Sequence, residues 1–198
     1  MRYRHPQVDH EREVLVLVSP RRRRSGALRP ADAEDDVGIG PSQFRLEAST
    51  DSCLTDDGDH LDGRGYTICD PHTGTRLRED DFFFRIGGGI VTDLVGTADH
   101  QPELQDAAFG PGRVLALIHH PPRTADGPPV IAVHDPSGAL QAGELPESVA
   151  DAITSYGDGY EAAFCLWEWR SEAGHRVGLR LLLAPGWQVQ PLPDQPVA

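Results

Sequence analysis

The chain contains no lysine: all 18 of its basic residues are arginine, set against 31 acids for a formal net charge of −13. The arginine-only usage is read as coding bias. The acidity excludes a generally basic nucleic-acid-binding surface, because a field of that sign repels a phosphate backbone within about a Debye length. Only three cysteines are present, Cys53, Cys69 and Cys165, an odd number without a short repeat. That argues against a disulfide framework and for reduced thiols. The apolar run near the N-terminus, Val14 to Val18, has five residues, too few for a leader core or a membrane span. A cytoplasmic protein with no membrane partner is expected. Also missing are a strand-to-helix Gly-x-Ser-x-Gly turn, His-Glu-x-x-His, a phosphate loop and a dinucleotide fingerprint. The chain is therefore read as not an enzyme, with neither a cofactor nor a metal assigned.

What is present starts with Val130 to Glu147, where every local rule agrees. Val130-Ile131-Ala132-Val133 is a β-branched run, and Asp135-Pro136-Ser137-Gly138 has the residues of a type I turn. Ala139 to Ala142 runs back, Gly143 marks a close backbone approach or a bulge, and Pro146 opens a helix with Leu145, Val149, Ala152 and Ile153 on one face. Strands are further expected at Val14–Val18, Gln43–Ala48, Tyr66–Cys69, Phe82–Ile86, Ile90–Val95 and Arg113–Ile118. A closing hairpin is formed by Ala163–Arg170 and Val177–Leu183. Gly87 to Gly89 reads as a bend, and Pro102 to Ala108 as a short helix. Between Asp51 and Gly65 the polar, glycine-rich sequence reads as a long surface loop.

The resulting expectation is a mainly β (α+β) fold, a small curled antiparallel sheet or barrel with two short helices. Residues 1–81 form an irregular β-containing N-terminal extension, 82–187 the barrel domain and 188–198 a proline-rich tail, loosely attached from Pro191. Charge is unevenly divided. Residues 1–30 hold eight arginines against three acids, residues 31–81 four against fourteen. Arg21 to Arg24 accordingly reads as a solvated loop pairing with Asp32 to Asp36, or alternatively as a phosphate-binding arm. Cys53, His60, Cys69 and His72 contain thiolate and imidazole ligands of the type Zn²⁺ takes, although only Cys69 and His72 are closely spaced. Cys165 lies in an apolar strand and reads as a packed core thiol. His119 and His120, adjacent on a strand, point to opposite sides.

Leu94-Val-Gly-Thr97, Leu104, Phe109-Gly-Pro-Gly112, Val114-Leu-Ala-Leu117, Val130-Ile-Ala-Val133, Asp135-Pro-Ser-Gly138, Gln141-Ala-Gly143, Leu145-Pro146 and Ala150 form an ordered set. Together they resemble the HIRAN domain, across roughly Phe82 to Trp187, in the form of its bacterial stand-alone members. The resemblance implies an OB-like β-barrel that holds the 3′ end of single-stranded DNA, stacking bases on aromatic rings, in a DNA-repair setting. Where the family places an arginine or aromatic after the first glycine, this chain has Ala98, Asp99 and His100. Its Asn-x-Tyr-Asp loop falls on Thr124 to Gly127, leaving Asp126. Glu144, Pro146 and Glu147 stand where basic residues meet phosphate. The polar residues left near the mouth are His100, Arg113, His119, His120, Arg123 and Asp126. Two functions follow: a nucleic-acid-binding module with this pocket eroded, or a protein-interaction or regulatory module on the same barrel.

Overall fold

A computed structural model describes residues 15–18, 43–55, 58–70, 72–78, 86, 88–122, 124, 127–156, 160–186 and 188–191. In chain order the strands are β1 (Leu15–Val18), β2 (Gln43–Leu54), β3 (His60–Cys69), β4 (Ile90–Asp93), β5 (Val114–His120), β6 (Val130–His134), β7 (Gln141–Glu144), β8 (Ala162–Ser171), β9 (Arg176–Leu183) and β10 (Gln188–Pro191). Two short helices accompany them among the described residues, α1 (Gln101–Leu104), preceded by a 3-10 turn at Thr97–His100, and α2 (Glu147–Tyr156). Every strand pair is antiparallel. The expected mainly β class with two short helices is what the chain adopts.

The hairpin expected at the centre of the sequence forms as its residues dictate. The Gly138 N–H donates to the Asp135 carbonyl at 2.9 Å, and Gly138 takes the left-handed φ of 77° that ends the turn. The Asp135 carboxylate accepts from the Leu140 N–H at 2.7 Å and from both the N–H and the hydroxyl of Ser137. These bonds, the Leu140 amide first, hold its pKa at about 2. β6 and β7 then pair with a register shift at Val133/His134, the bulge that Gly143 signalled. The Pro146 carbonyl accepts from the Val149 and Ala150 amides and so starts α2, which buries Ala150 and Ile153.

β8 is the strand that the others share. Its C-terminal part lies beside β3, from Gly65↔Trp167 to Leu61↔Ser171, and its N-terminal part beside β5, from Val114↔Phe164 to Ala116↔Ala162. β9 runs along its other edge, with register shifts between Cys165 and Trp167 and between Trp169 and Arg170 that bend the strand. Two cores result. The first collects Leu104, Phe109, Leu115, Ile131, Ile153 and Leu181 under the helices. The second places Phe44, Leu46, Ile68, Ile86, Phe164 and Leu182 against one another. Each such fully buried side chain contributes roughly 1.5–3 kcal/mol.

The segment Asp51 to Gly65, expected to be a surface loop, is instead most of a hairpin. β2 and β3 pair without interruption from Arg45↔Cys69 to Leu54↔His60. Aspartate and glycine are poor strand formers, but β-propensity yields to pairing context, and here β8 supplies the partner for Leu61 to Gly65. The hydrogen-bonded ladders also cross residues 81 and 187, since β3 joins β8 and β10 joins β1. Gln188 to Pro191, placed in the tail by sequence, is thus a paired strand. The expected strand at Phe82–Arg85 lies outside the described residues, apart from the fully buried Ile86 that follows it.

The strand path β10-β1-β2-β3-β8-β5-β6-β7, with β9 and β4 branching from β8, is not closed by a continuous ladder. Among the described residues, the hydrogen-bonded bridge from β7 to the segment after β4 is Val95–Glu144, whose amides and carbonyls exchange two bonds of 2.9 Å. Gly143 makes that approach possible, because a Cβ there would lie 2.6 Å from the Val95 carbonyl oxygen. Gly143→Ala is expected to break this bridge and to lower stability by about 1–3 kcal/mol in urea unfolding. Faster amide hydrogen exchange at Val95 and Glu144 should accompany it.

Candidate functional site

Among the residues singled out by sequence, Arg113 and the pair His119–His120 are held apart. Arg113 precedes β5 and His119 and His120 end it, so the length of the strand, roughly 20 Å, separates the arginine from the histidines. His100 ends the 3-10 turn. Arg123 and Asp126 lie outside the described residues, as do Arg21 to Arg24. His120 has a ring neighbour in His134, with centroids 6.5 Å apart, and both His134 ring nitrogens are buried without a hydrogen-bond partner among the described residues.

Aromatic rings and arginines gather elsewhere, on β3, β8 and β9. A groove of about 140 Å³ is lined by Tyr66, Trp167, Trp169, Arg76 and Arg180, with Ile68, Leu77 and Val91 among its apolar residues. Trp167 and Trp169 are two positions apart on β8 and lie 5.8 Å centroid to centroid, tilted by 57°. Gly63 on β3 leaves room for both indoles, and Gly65 lets the β8 backbone approach closely. A Cβ at Gly63 would lie 2.5 Å from Trp169 Cζ3 and closer still to Trp167 Nε1, and one at Gly65 would lie 2.7 Å from Trp167 Cα. Trp167 is almost wholly buried and its Nε1 has no hydrogen-bond partner among the described residues, whereas Trp169 is partly exposed. Arg180 is fixed by a bidentate pair to Asp93, with Nε to Oδ1 at 2.8 Å and Nη2 to Oδ2 at 2.9 Å.

Alternating with these tryptophans on β8 is Glu168, which has no solvent exposure. Three guanidinium groups meet its carboxylate. Arg64, its cross-strand partner on β3, donates through Nε to Oε1. Arg170 donates through Nε at 2.7 Å, and Arg176 through Nε to Oε2 at 2.6 Å. Arg176 is itself buried, and its Nη1 reaches the carbonyls of Leu104 and Asp106 at the end of α1. Burial alone would raise the Glu168 pKa; hydrogen bonds from Arg170, Arg176 and Arg64 outweigh it and bring the group to about 2.

The cysteines show no catalytic environment. Cys165 is fully buried and its thiol is pushed up to about 12, by burial first and then by the Glu168 charge. Cys53 and Cys69 pair with Leu61 and Arg45 near opposite ends of the β2–β3 hairpin, roughly 26 Å apart along the strands, so the four-residue metal set does not assemble. Tyr66 and Arg76 lie before residue 82, outside the segment from which the site was read, and Trp167, Trp169 and Arg180 were read as strand residues of the closing hairpin. One signal was there: Gly-Arg-Gly at 63–65 against Trp-Glu-Trp at 167–169, small facing large and cation facing acid.

Glu168 supplies a pH dependence with a definite sign. Its folded pKa lies below its ordinary value near 4.5, so its contribution is complete above pH 4.5 and disappears as the pH falls towards 2. Denaturant unfolding between pH 5 and pH 2 should show this loss. Glu168→Gln should lack that part of the pH dependence and, with three guanidiniums around a neutral amide, lose about 3–5 kcal/mol at pH 7.

Comparisons with protein-family models, with curated proteins and with solved structures found no match to this chain.

Proposed function

We propose that this protein is a nucleic-acid-binding module of HIRAN type that receives single-stranded DNA ends, with the groove of Tyr66, Trp167 and Trp169 as its contact surface. The observation that carries the reading is the convergence of a partly exposed tryptophan with two arginines, Arg76 and Arg180, in one concavity. Flat rings take a base by stacking, worth about 1–3 kcal/mol per base, and guanidiniums take the phosphates beside it. A groove of this size fits one base of a single strand and not a duplex. The role is binding and not catalysis.

An OB-like barrel is part of the same proposal. Strands β4-β9-β8-β5-β6-β7 surround the first core in that order, and the Val95–Glu144 bridge leads from β7 back to the segment after β4. The second reading, a protein-interaction or regulatory module without DNA binding, is favoured by the net charge of −13, which opposes any polyanion. That charge also sets what DNA binding should look like. If Arg76 and Arg180, the arginines lining the groove, each meet one phosphate, log K should fall with log salt at a slope of about −1.4, since each phosphate contact on a single strand contributes about −0.7.

Fluorescence anisotropy with short single-stranded oligonucleotides, carrying free or blocked 3′ ends, tests this across a salt series. Micromolar binding that needs the free end is expected, with a loss of about tenfold or more in Trp169→Ala. Absence of binding even at low salt would remove the nucleic-acid reading and leave the protein-interaction one.

A further inference from the structure

The other side of the charge cluster forms a second concavity, of about 550 Å³, on β2, β3 and β8. Cross-strand register decides what faces it. Thr50 opposes Arg64, Ser52 opposes Asp62, and Asp62 in turn opposes Arg170, so these side chains share one face. The groove is lined by Thr50, Ser52, Arg64 and Arg170, with Asp51 and Asp62 also at its boundary.

The donors there are unequally occupied. Arg176 is buried behind Glu168, and Arg170 is used on both Glu168 oxygens and on the Gly174 carbonyl. Arg64 is different. It gives only Nε to Glu168, its side chain is 55% exposed, and its two terminal amino groups donate to no described residue. The hydroxyls of Thr50 and Ser52 likewise have no hydrogen-bond partner among the described residues, and both residues are exposed. One carboxylate is shared by three guanidiniums, which leaves two positive charges that Glu168 does not balance, with Asp51 and Asp62 as the acids facing them at the groove, and the guanidiniums cannot lose their protons.

We propose that this groove is a subsite for a single tetrahedral oxyanion, a phosphate or phosphate monoester, taken by the Arg64 amino groups together with the Thr50 and Ser52 hydroxyls. The planar fork of Arg64 grips two oxygens, and hydroxyl donors on the neighbouring strand meet the others. The Glu168 bond orients the guanidinium in advance, so that little side-chain freedom is lost on binding. Asp51 and Asp62 oppose every added anion, which keeps the affinity low and disfavours a row of phosphates more than a single group. The subsite does not depend on the nucleic-acid reading.

Phosphorus-31 NMR of inorganic phosphate titrated with the full chain, at constant ionic strength with chloride, reads this directly. Line broadening that saturates with a millimolar dissociation constant is expected for the natural chain. Arg64→Gln should weaken it tenfold or more. The Thr50→Val, Ser52→Ala pair, which leaves the Arg–Glu168 cluster whole, should weaken it severalfold. Trp169→Ala should leave it unchanged, separating this subsite from the aromatic groove. No broadening at 20 mM phosphate, on the order of several expected dissociation constants, would overturn the proposal. Undiminished broadening in the hydroxyl-deleted pair would overturn it as well.

Discussion

A carboxylate without solvent exposure stays ionised in a protein only where cations reach it, and the arrangement around Glu168 follows from that requirement. Arg64 comes from β3, Arg170 from β8 itself and Arg176 from the start of β9, so the carboxylate ties three strands together at the point where β8 bends. Arg176 extends the tie to the end of α1 through the Leu104 and Asp106 carbonyls, and its backbone exchanges two bonds of 2.8 Å with the Gln105 amide. A buried ion pair of this kind does not add much over an apolar substitute, but removing one partner leaves charge stranded. Its effect is to fix register and orientation.

Both candidate binding surfaces depend on that fixation. On β8 the side chains alternate, with tryptophan at 167 and 169 and the acid between them. β3 answers with Gly63 where the indoles need room, with Gly65 where the β8 backbone comes close and with Arg64 where Glu168 needs charge. A shift of one residue would set indole against guanidinium and glycine against carboxylate. The same ladder therefore carries the groove of Tyr66, Trp169, Arg76 and Arg180 and the polar concavity of Thr50, Ser52 and Arg64, with Asp51 bordering both. Among the described residues, Arg64, Arg76, Arg170, Arg176 and Arg180 lie at this junction.

The parts of the fold legible in the sequence were those fixed by neighbours along the chain. Asp135 to Gly138 makes its turn because its own side chains bond its own backbone, and Pro146 starts α2 by supplying a carbonyl with no competing amide of its own. The β8–β9 hairpin was likewise legible from its apolar runs. β2 and β3 were legible only at Gln43–Ala48 and Tyr66–Cys69; their polar, glycine-bearing continuation towards the turn was not, because it becomes a sheet only through β8, about a hundred residues later. The candidate groove was illegible for the same reason. Tyr66, Arg76, Trp169 and Arg180 share no sequence window, and the residues that stood in the pocket by resemblance, Arg113 and His119 among them, sit at opposite ends of β5.

The central claim is that ligands meet this protein on the β3–β8 face and not at the end of β5. Two-dimensional proton–nitrogen NMR of the full chain with a short single-stranded oligonucleotide places the contact residue by residue. The account predicts shifts of the Trp169 indole resonance and of the Tyr66, Arg76 and Arg180 amides, with His119 and His120 unmoved. Shifts gathered at His119, His120 and Arg113, or a spectrum unchanged throughout, would contradict it.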